Sequence, residues 1–217
     1  MSGQPGERIT AVDRTGRVAG VVLAAGTSTR LGANKLLLWL DSEPLVRRAA
    51  RLGLDAGLSP VIVVLGHEAE RVIPALEGLA VEIVLNPAHR SGMGSSLRQG
   101  IARVPHDCVA AVMLLADMPL VTAAMIEALV ARFRFGAEPL VLSIYGEIQA
   151  PPTLYGRSLF RELAEIGPPS TGGRQVALEH RDEAAELRWP ASALADVDRP
   201  EDAARLGIRL VRTLPPQ

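Results

Sequence analysis

At 217 residues, the chain is long enough for one ordinary domain with a substantial core. Hydrophobic residues make up 48% of it and aromatic residues only 3%, so Ala, Val, Leu and Ile must form most of that core, as in helices packed on a parallel sheet. The formal net charge is −1, from 23 basic and 24 acidic residues spread along the chain. This balance excludes the strongly basic character of proteins that bind nucleic acid or membrane surfaces, and a small molecule is the expected partner.

The two ends and the single cysteine predict where the protein resides. The N-terminal segment MSGQPGERITAVDRTGR has charges, Gly and Pro but no apolar stretch typical of a secretion signal, so residues 1–17 are expected to form a flexible tail. No apolar run reaches the roughly 18 residues of a membrane span. Cys108 lies in the apolar run CVAAVMLLA and is expected in a core kept in a reducing compartment. We therefore predict a cytoplasmic protein with one domain over residues 18–210 and a second tail over residues 211–217.

Four apolar runs predict strands, at residues 18–24, 60–66, 81–85 and 109–116, and the first, second and fourth are nearly continuous, as in strands buried on both faces. Helical patterns follow the first, second and fourth of them, at 44–57, 68–78 and 122–133, and Thr122 is a plausible N-cap. Strands that alternate with helices predict a mostly parallel, doubly wound sheet with helices on both faces. The predicted fold class is therefore α/β and Rossmann-like.

The last third of the chain has weaker patterns. They indicate a strand at 139–146, helices at 156–167 and 171–182, and an irregular insertion within this part. A short strand is expected near SALADVD, at 192–198, before a terminal helix in which Pro200 fits the first turn.

The loop after the first strand, LAAGTSTRLGANK, has residues suited to holding phosphates. It is not a P-loop, because Ala33 and Asn34 separate Gly32 from Lys35, and it contains no GxGxxG. Gly26 nevertheless permits a tight turn and a close backbone approach, and Arg30 and Lys35 together can neutralise a triphosphate. A basic surface turn without a ligand remains an equal alternative from this pattern alone.

Two segments further along the chain have aspartates that could bind a metal. Ligands of doubly wound sheets bind where the strands end. Asp117, before Pro119, could hold a Mg²⁺ that bridges phosphates, although an Asp at this point also suits a turn or a cap. In the closing ADVDRPED, Asp196 or Asp198 could supply a second carboxylate, while local pattern favours Asp198 as the cap of the helix that opens at Pro200.

The remaining exit, NPAHRSGMGSSLRQG, has two glycines and two serines before a helical stretch, which could offer N–H groups and hydroxyls to a base or ribose. Such loops are common in proteins that bind nothing. His67 and His89 have no partner at metal-ligand spacing and are interpreted as ordinary polar residues.

Taken together, these segments resemble the nucleotidyltransferases with a glycosyltransferase-A-like fold, and specifically the molybdenum-cofactor nucleotidyltransferases. The pattern LAAGxSxRxGxxK of that group is met over residues 23–35. GMGSSL at 92–97 looks like the base-contacting loop of the group, ADMP like its metal-binding motif, and DVDRPED like its closing motif D-[IV]-D-T-P-E-D. LAAG rather than LAGG is similar to the cytidylyltransferases, so Ala25 favours CTP, with GTP as the alternative.

The resemblance implies a Mg²⁺-dependent enzyme that transfers CMP from CTP to a phosphate of a molybdopterin-type cofactor and releases pyrophosphate. Its implied partners are the nucleotide, a pterin-phosphate acceptor, and a molybdoenzyme or its chaperone as a candidate protein partner. The resemblance implies that phosphates bind at Leu23, Ala24, Ala25, Gly26, Thr27 and Ser28, and that Arg30 and Lys35 stabilise charge. It implies that Asp117 and Asp198 bind the metal. It also implies contact with the base or ribose at Gly92, Ser95 and Ser96, and with the acceptor at Arg174.

Two departures from the group's pattern affect the acceptor side. GPPSTGGRQV keeps Gly173 and Arg174 but lacks the acidic residue of the usual G-D-x-G-x-R segment, and Arg199 replaces the usual Thr of the closing motif.

The alternative functions are a guanylyltransferase, a sugar-phosphate nucleotidyltransferase, or a non-catalytic nucleotide-binding protein that delivers a cofactor. A phosphate acceptor is already an anion at neutral pH, so the proposed reaction requires no general base.

Overall fold

The structure is a computed structural model that describes residues 14–26, 34–167 and 172–210 of the chain. No helix in these ranges is long and apolar enough to cross a membrane. The strands are β1 (Arg17–Ala24), β2 (Leu38–Leu40), β3 (Glu43–Pro44), β4 (Val61–Leu65), β5 (Val81–Leu85), β6 (Cys108–Leu115), β7 (Leu140–Tyr145), β8 (Ile148–Gln149), β9 (Thr153–Gly156), β10 (Ala184–Trp189) and β11 (Arg209–Leu210). The α-helices are α1 (Leu45–Asp55), α2 (Ala69–Val72), α3 (Met93–Ile101), α4 (Ala123–Phe135), α5 (Phe160–Glu165), α6 (Arg174–Glu179) and α7 (Pro200–Arg205).

The main sheet has eight strands, in the order β10-β7-β9-β6-β1-β4-β5, with β8 paired to β7. Strand β1 runs parallel to both of its neighbours, β4 and β6, and the outer pairs β4–β5 and β7–β10 are also parallel. Only β9, between β6 and β7, and the short β8 are antiparallel within this described sheet. The mostly parallel sheet confirms the predicted fold class.

The core lies on both faces of this sheet, because successive side chains of a strand point to opposite sides. Val22 of β1 belongs to the cluster that packs under α1 and α4, where Val46 and Leu129 are buried. Val21, its neighbour, belongs to the cluster under α3, α5 and α6, where Leu97 is buried. Both faces are thus covered by helices, as the continuous apolar strands predict.

Most elements of the first two thirds match the prediction, although the sequence patterns did not indicate β2 and β3. Thr122 caps α4, and its hydroxyl accepts a hydrogen bond from the Met125 amide at 3.3 Å. The helix predicted at 68–78 is shorter than expected, because a 3-10 turn that contains Pro74 follows α2. Cys108 is 0% exposed, which confirms that it belongs to the core.

The last third contains the errors of the prediction. The strand expected near SALADVD is wrong: residues 191–193 form a 3-10 turn, and 194–198 run alongside the sheet without strand pairing. The last strand of the main sheet is β10 instead, which pairs with β7 at the sheet edge. The irregular insertion is formed by β8 and β9, which the sequence patterns did not indicate.

A second, small antiparallel sheet holds the closing segment of the domain against the main sheet. Its order is β11-β2-β3. Val197 and Ala203 pack with Leu38 and Leu45 into a separate small core beside it. The amide of Val197 donates a 3.1 Å hydrogen bond to the carbonyl oxygen of Asp117. This backbone contact joins the closing motif to the end of β6.

The two predicted tails, 1–17 and 211–217, lie largely outside the described residues. Within the described part of the first, the guanidinium of Arg14 donates to the carbonyl oxygens of Phe133 and Glu138, at 2.8 and 2.9 Å. It also lies 4.4 Å from the centroid of the Phe133 ring. The chain is therefore in contact with the end of α4 before β1 begins.

Candidate active site

Most of the predicted site residues that the structure describes lie at the carboxyl edge of the parallel strands, where β1, β4, β5 and β6 end. A cavity of about 370 Å³ opens there. Of the candidates named from the sequence, Thr27, Ser28 and Arg30 lie outside the described residues. The described residues that line the cavity are Leu23, Ala24, Ala25, Gly26, Lys35, Leu36, His89, Arg90, Gly92, Met93, Ser96, Leu115 and Asp117.

Lys35 begins a short 3-10 turn that ends at Leu37, and Asn34 fixes the start of this turn. The side-chain oxygen of Asn34 accepts from the Leu36 amide at 3.1 Å, and its amide nitrogen donates to Glu68 at 3.2 Å. Asn34 is 4% exposed, so both bonds are shielded from water. Sequence reasoning missed this residue, although an Asn directly before a helical turn is a typical capping signal.

The side chain of Lys35 bridges two carboxylates from distant parts of the chain. Its Nζ lies 2.5 Å from Oδ2 of Asp117 and 2.8 Å from Oδ1 of Asp198. Lys35 and Asp117 are 13% and 20% exposed, and Asp198 is 43% exposed. We call these three residues the charge cluster. Burial alone would lower the pKa of Lys35, but the two carboxylates outweigh burial and hold this pKa above its usual value, so the ammonium stays charged.

The contact with Lys35 decides which acidic residue of the closing motif belongs to the charge cluster. Val197 is 0% exposed and points into the small core, while Asp196 is exposed. Asp198 is the residue that contacts Lys35. The local prediction that Asp198 caps the terminal helix is wrong, because Arg199 is the N-cap and Asp202 accepts from the Arg199 amide at 3.0 Å.

Asp117 and Asp198 fit a divalent cation of the Mg²⁺ or Mn²⁺ type. Such ions prefer oxygen ligands, and Mg²⁺ commonly binds through one or two carboxylates together with substrate phosphates rather than in an all-protein cage. Both carboxylates already converge on one positive charge, the Lys35 ammonium. Within the described ranges no group of three or more His, Cys, Asp or Glu side chains forms such a cage. The two carboxylates therefore suit a metal that a phosphate ligand completes.

A second set of polar residues lies at the exit of β5 and consists of Asn86, Ser95 and Ser96, which we call the serine cluster. The amide nitrogen of Asn86 donates to the Ser95 hydroxyl at 2.8 Å and to the Ser96 hydroxyl at 2.9 Å. All three are at most 4% exposed. The serines lie in the first turn of α3 rather than before it, and Ser96 lines the cavity whereas Ser95 donates to the Gly92 carbonyl at 2.8 Å. The cluster thus holds the loop before α3 onto the sheet.

Gly66, at the end of β4, lets two neighbouring loops approach each other closely. A Cβ atom at this position would lie 2.5 Å from Cβ of His89 and 2.9 Å from Cβ of Ala25. His89 consequently packs against Gly66 and lines the cavity, with its Nδ1 3.2 Å from the carbonyl oxygen of Asn86. Sequence reasoning interpreted His89 as an ordinary polar residue. Its position in the loop after β5, three residues before Gly92, could have indicated that it lies at the site.

Arg174 is set apart from the rest of the predicted site. It is the first residue of α6, is exposed, and is absent from the described residues that line the cavity. The preceding Gly172 has a φ of +70°, and a Cβ there would lie 3.0 Å from the sulfur of Met93, which lines the cavity. Gly172 thus lies against a residue of the cavity wall, whereas Arg174 is exposed away from it.

This fold and site define a nucleotidyltransferase-type protein, and comparison with known families agrees. Residues 20–184 match the family described as the MobA-like NTP transferase domain. The chain belongs to this family, which confirms the resemblance seen in its motifs.

Individual relatives are similar over most of the chain. Bifunctional protein GlmU of Mycobacterium sp. (strain KMS) is 31% identical over 154 residues, which is 67% of this chain and 30% of that protein. The chain therefore spans about a third of the length of the curated relatives it matches. The crystal structure of Rv0371c from Mycobacterium tuberculosis H37Rv has a TM-score of 0.79 and 28% identity, and covers 88% of this chain and 97% of its own. A structure of the same protein in complex with manganese has a TM-score of 0.73, 27% identity and the same coverage.

Proposed function

We propose that the protein transfers CMP from CTP to a phosphate of a molybdopterin-type acceptor, with Mg²⁺ as cofactor. An oxygen of the acceptor phosphate attacks the α-phosphorus of CTP and forms a new P–O bond. The bond between the α-phosphorus and the bridging oxygen to the β-phosphate breaks, and pyrophosphate leaves. Positioning and charge stabilisation provide most of the catalysis in such in-line displacements.

The observation that carries the proposal is the charge cluster. Lys35, Asp117 and Asp198 come from three separate segments, and the ammonium of Lys35 lies within 2.8 Å of an oxygen of each carboxylate beside the cavity. A surface turn that binds nothing has no need to bury a lysine between two carboxylates, since exposed ion pairs contribute little stability. Two converging carboxylates and a cation beside backbone N–H groups are what a metal-bound triphosphate needs.

The roles of the chain's own residues follow from their placement. Asp117 and Asp198 would hold the metal, which when bound neutralises charge on the phosphates and orients them. The backbone from Leu23 to Gly26 lines the cavity and would face the phosphates. Lys35 would stabilise the charge that develops on the departing pyrophosphate, together with Arg30, which lies outside the described residues.

The opposite wall of the cavity would receive the nucleoside. Gly92 and Ser96 line it, and Ser95 supports them from behind. Ala25, on the phosphate side of the cavity, is 6% exposed and lies close to Gly66. Its methyl group, which favours CTP in the resemblance, would narrow the space left for the base. Arg174, on the outer side of α6, would meet the acceptor's phosphate.

The test is a panel of CTP, GTP, ATP and UTP, each assayed for pyrophosphate release with and without molybdopterin as acceptor and with Mg²⁺ present. We expect release with CTP that depends on both acceptor and metal, with GTP slower by at least about tenfold, the factor that 1.4 kcal/mol of differential binding produces.

The other outcomes of this assay, extended to a hexose 1-phosphate as acceptor, would indicate a different activity. Faster release with GTP would identify a guanylyltransferase, and release with a hexose 1-phosphate but not with molybdopterin would identify a sugar-phosphate enzyme. Tight CTP binding without pyrophosphate release under any of these conditions would favour a nucleotide-binding protein that delivers a cofactor, and would overturn the proposal.

A further inference from the structure

We infer that the Lys35 ammonium holds the place of the divalent cation between Asp117 and Asp198 in the nucleotide-free protein and exchanges with that cation when a triphosphate binds. This inference rests on the proposed function, because it requires the metal to bind these two carboxylates. It also predicts an order of binding, because the metal binds weakly until the phosphates of a bound nucleotide offer the ammonium a new partner.

The geometry of the charge cluster carries the first step. The ammonium contacts both carboxylates at once, at 2.5 and 2.8 Å, so a metal that binds both oxygens must displace it. Lys35 is 13% exposed, and repulsion between an ammonium and a dication is only partly screened at such a site. Metal binding without nucleotide therefore loses the free energy of two ion pairs at the same time as it gains the metal's own contacts.

The cavity carries the second step. Lys35 lines the cavity next to Ala25 and Gly26, so its flexible stem lies beside the backbone that would face the phosphates. A bound triphosphate offers the displaced ammonium several anionic oxygens. Metal and nucleotide then favour each other's binding, and by linkage the effect is equal in both directions.

The choice of residue is the third, independent observation. Of the 23 basic residues in the chain, 22 are arginine, and Lys35 is the only lysine. An arginine fork would bind the two carboxylates through several fixed hydrogen bonds, whereas an ammonium is a compact point charge on a flexible stem. A lysine at this one position suits a cation that must be exchanged rather than a permanent clamp.

The test is the affinity of the full-length protein for Mn²⁺ alone, measured by electron paramagnetic resonance without nucleotide. Lys35→Met keeps the apolar stem and removes the charge, so we expect it to bind Mn²⁺ at least about tenfold more tightly than the parent. Lys35→Arg retains a cation with more donors, and we expect it to bind Mn²⁺ more weakly than the parent.

The matched control is Arg90→Met, which removes one positive charge from the same cavity at a residue outside the charge cluster. An equal gain in Mn²⁺ affinity in Arg90→Met and Lys35→Met would show a general field effect and overturn the exchange. So would an unchanged or lower affinity in Lys35→Met.

Two further variants separate failure of the inference from failure of the proposed metal site. If Asp117→Asn and Asp198→Asn leave Mn²⁺ binding unchanged, these residues are not the ligands, and the metal site of the proposed function is wrong. If both variants weaken Mn²⁺ binding while Lys35→Met fails to strengthen it, the metal site stands and the exchange alone is wrong.

Discussion

The charge cluster and the serine cluster lie at neighbouring strand exits but are built on opposite principles. Lys35, Asp117 and Asp198 are partly exposed and charged, and each can take another partner from a ligand. Asn86, Ser95 and Ser96 are at most 4% exposed, neutral and hydrogen-bonded to one another. The difference suggests a division of work in which one cluster exchanges ions with the ligand and the other holds the loop in place.

The largest expected effect is on the charge cluster. Asp117→Asn removes a metal-binding charge without changing the size of the side chain, and we expect turnover to fall by about a thousandfold, which corresponds to several kcal/mol of lost charge stabilisation. The thermal midpoint should change little. Steady-state pyrophosphate release and thermal unfolding measure the two quantities.

The matched control for this substitution is Asp196→Asn, at an exposed carboxylate next to the buried Val197. Normal turnover is expected in the control. Near-parental turnover in Asp117→Asn, or an equal loss in Asp196→Asn, would remove the charge cluster from the chemistry.

The serine cluster should respond in the opposite way. Asn86→Ala removes the donor to the buried Ser95 and Ser96 hydroxyls and the acceptor of the Ala88 amide, now bonded at 3.0 Å, while Ser95 keeps its bond to the Gly92 carbonyl. We expect the free energy of unfolding to fall by about 2–3 kcal/mol, the cost of leaving buried polar groups unpaired. Urea denaturation measures it.

Ser91→Ala, in the same loop, serves as the control because its hydroxyl bond to the Ala88 carbonyl is exposed. A change within about 0.5 kcal/mol is expected there. Should Asn86→Ala retain the stability of the parent while its turnover collapses, the serine cluster would belong to the chemistry and the division of work would be wrong.

The smallest effect concerns an ion pair away from both clusters, between His180 of the α6–β10 connection and Glu162 of α5. Their Nε2 and Oε2 atoms lie 2.7 Å apart, and Glu183 lies 3.7 Å from the other ring nitrogen. The hydrogen bond to Glu162 raises the pKa of His180 above its usual value. A raised folded-state pKa adds stability that is complete below the unfolded pKa of about 6.5 and is lost as the pH rises through the folded pKa.

Glu162→Gln should therefore lower the free energy of unfolding near about pH 5.5, below the unfolded pKa, and have a smaller effect near about pH 9, as the pH rises through the folded-state pKa of His180. The loss should stay below about 1 kcal/mol, because Glu162 is 42% exposed and solvent screens the pair. Glu165→Gln, whose pair with Arg161 is more exposed, is the control. An equal loss at both pH values would show that the charge of His180 plays no part.

The sequence predicts the parallel half of the fold well, because strands buried on both faces leave long apolar runs. The strands β1, β4 and β6 are of this kind, whereas β5, at the sheet edge, is only partly buried although four of its five residues are apolar. The last third is harder to predict. In β10, charged residues alternate on a half-buried sheet edge, and β9 is only four residues long, so neither has a pattern distinct from a loop.

The motifs predict which residues belong to the candidate site, but they do not predict the contacts between those residues. The residue types of the charge cluster are visible in the sequence, whereas the choice of Asp198 over Asp196 depends on a contact with Lys35, 163 residues away in the chain. Similarly, Asn34 acts through a cap that exists only once Lys35 begins a turn. Tertiary packing decides both, and local pattern favoured a capping role for Asp198 that the folded chain gives to Asp202.

The absence of a side chain at Gly66 has a mechanical consequence for the cavity. A Cβ atom at position 66 would lie 2.5 Å from Cβ of His89 and 2.9 Å from Cβ of Ala25, so the loops after β1 and β5 can both lie close to the end of β4 only while this position has no side chain. Any larger residue there must displace at least one of the two loops, and both loops line the cavity. A single methyl group at this position would therefore change the shape of the cavity wall.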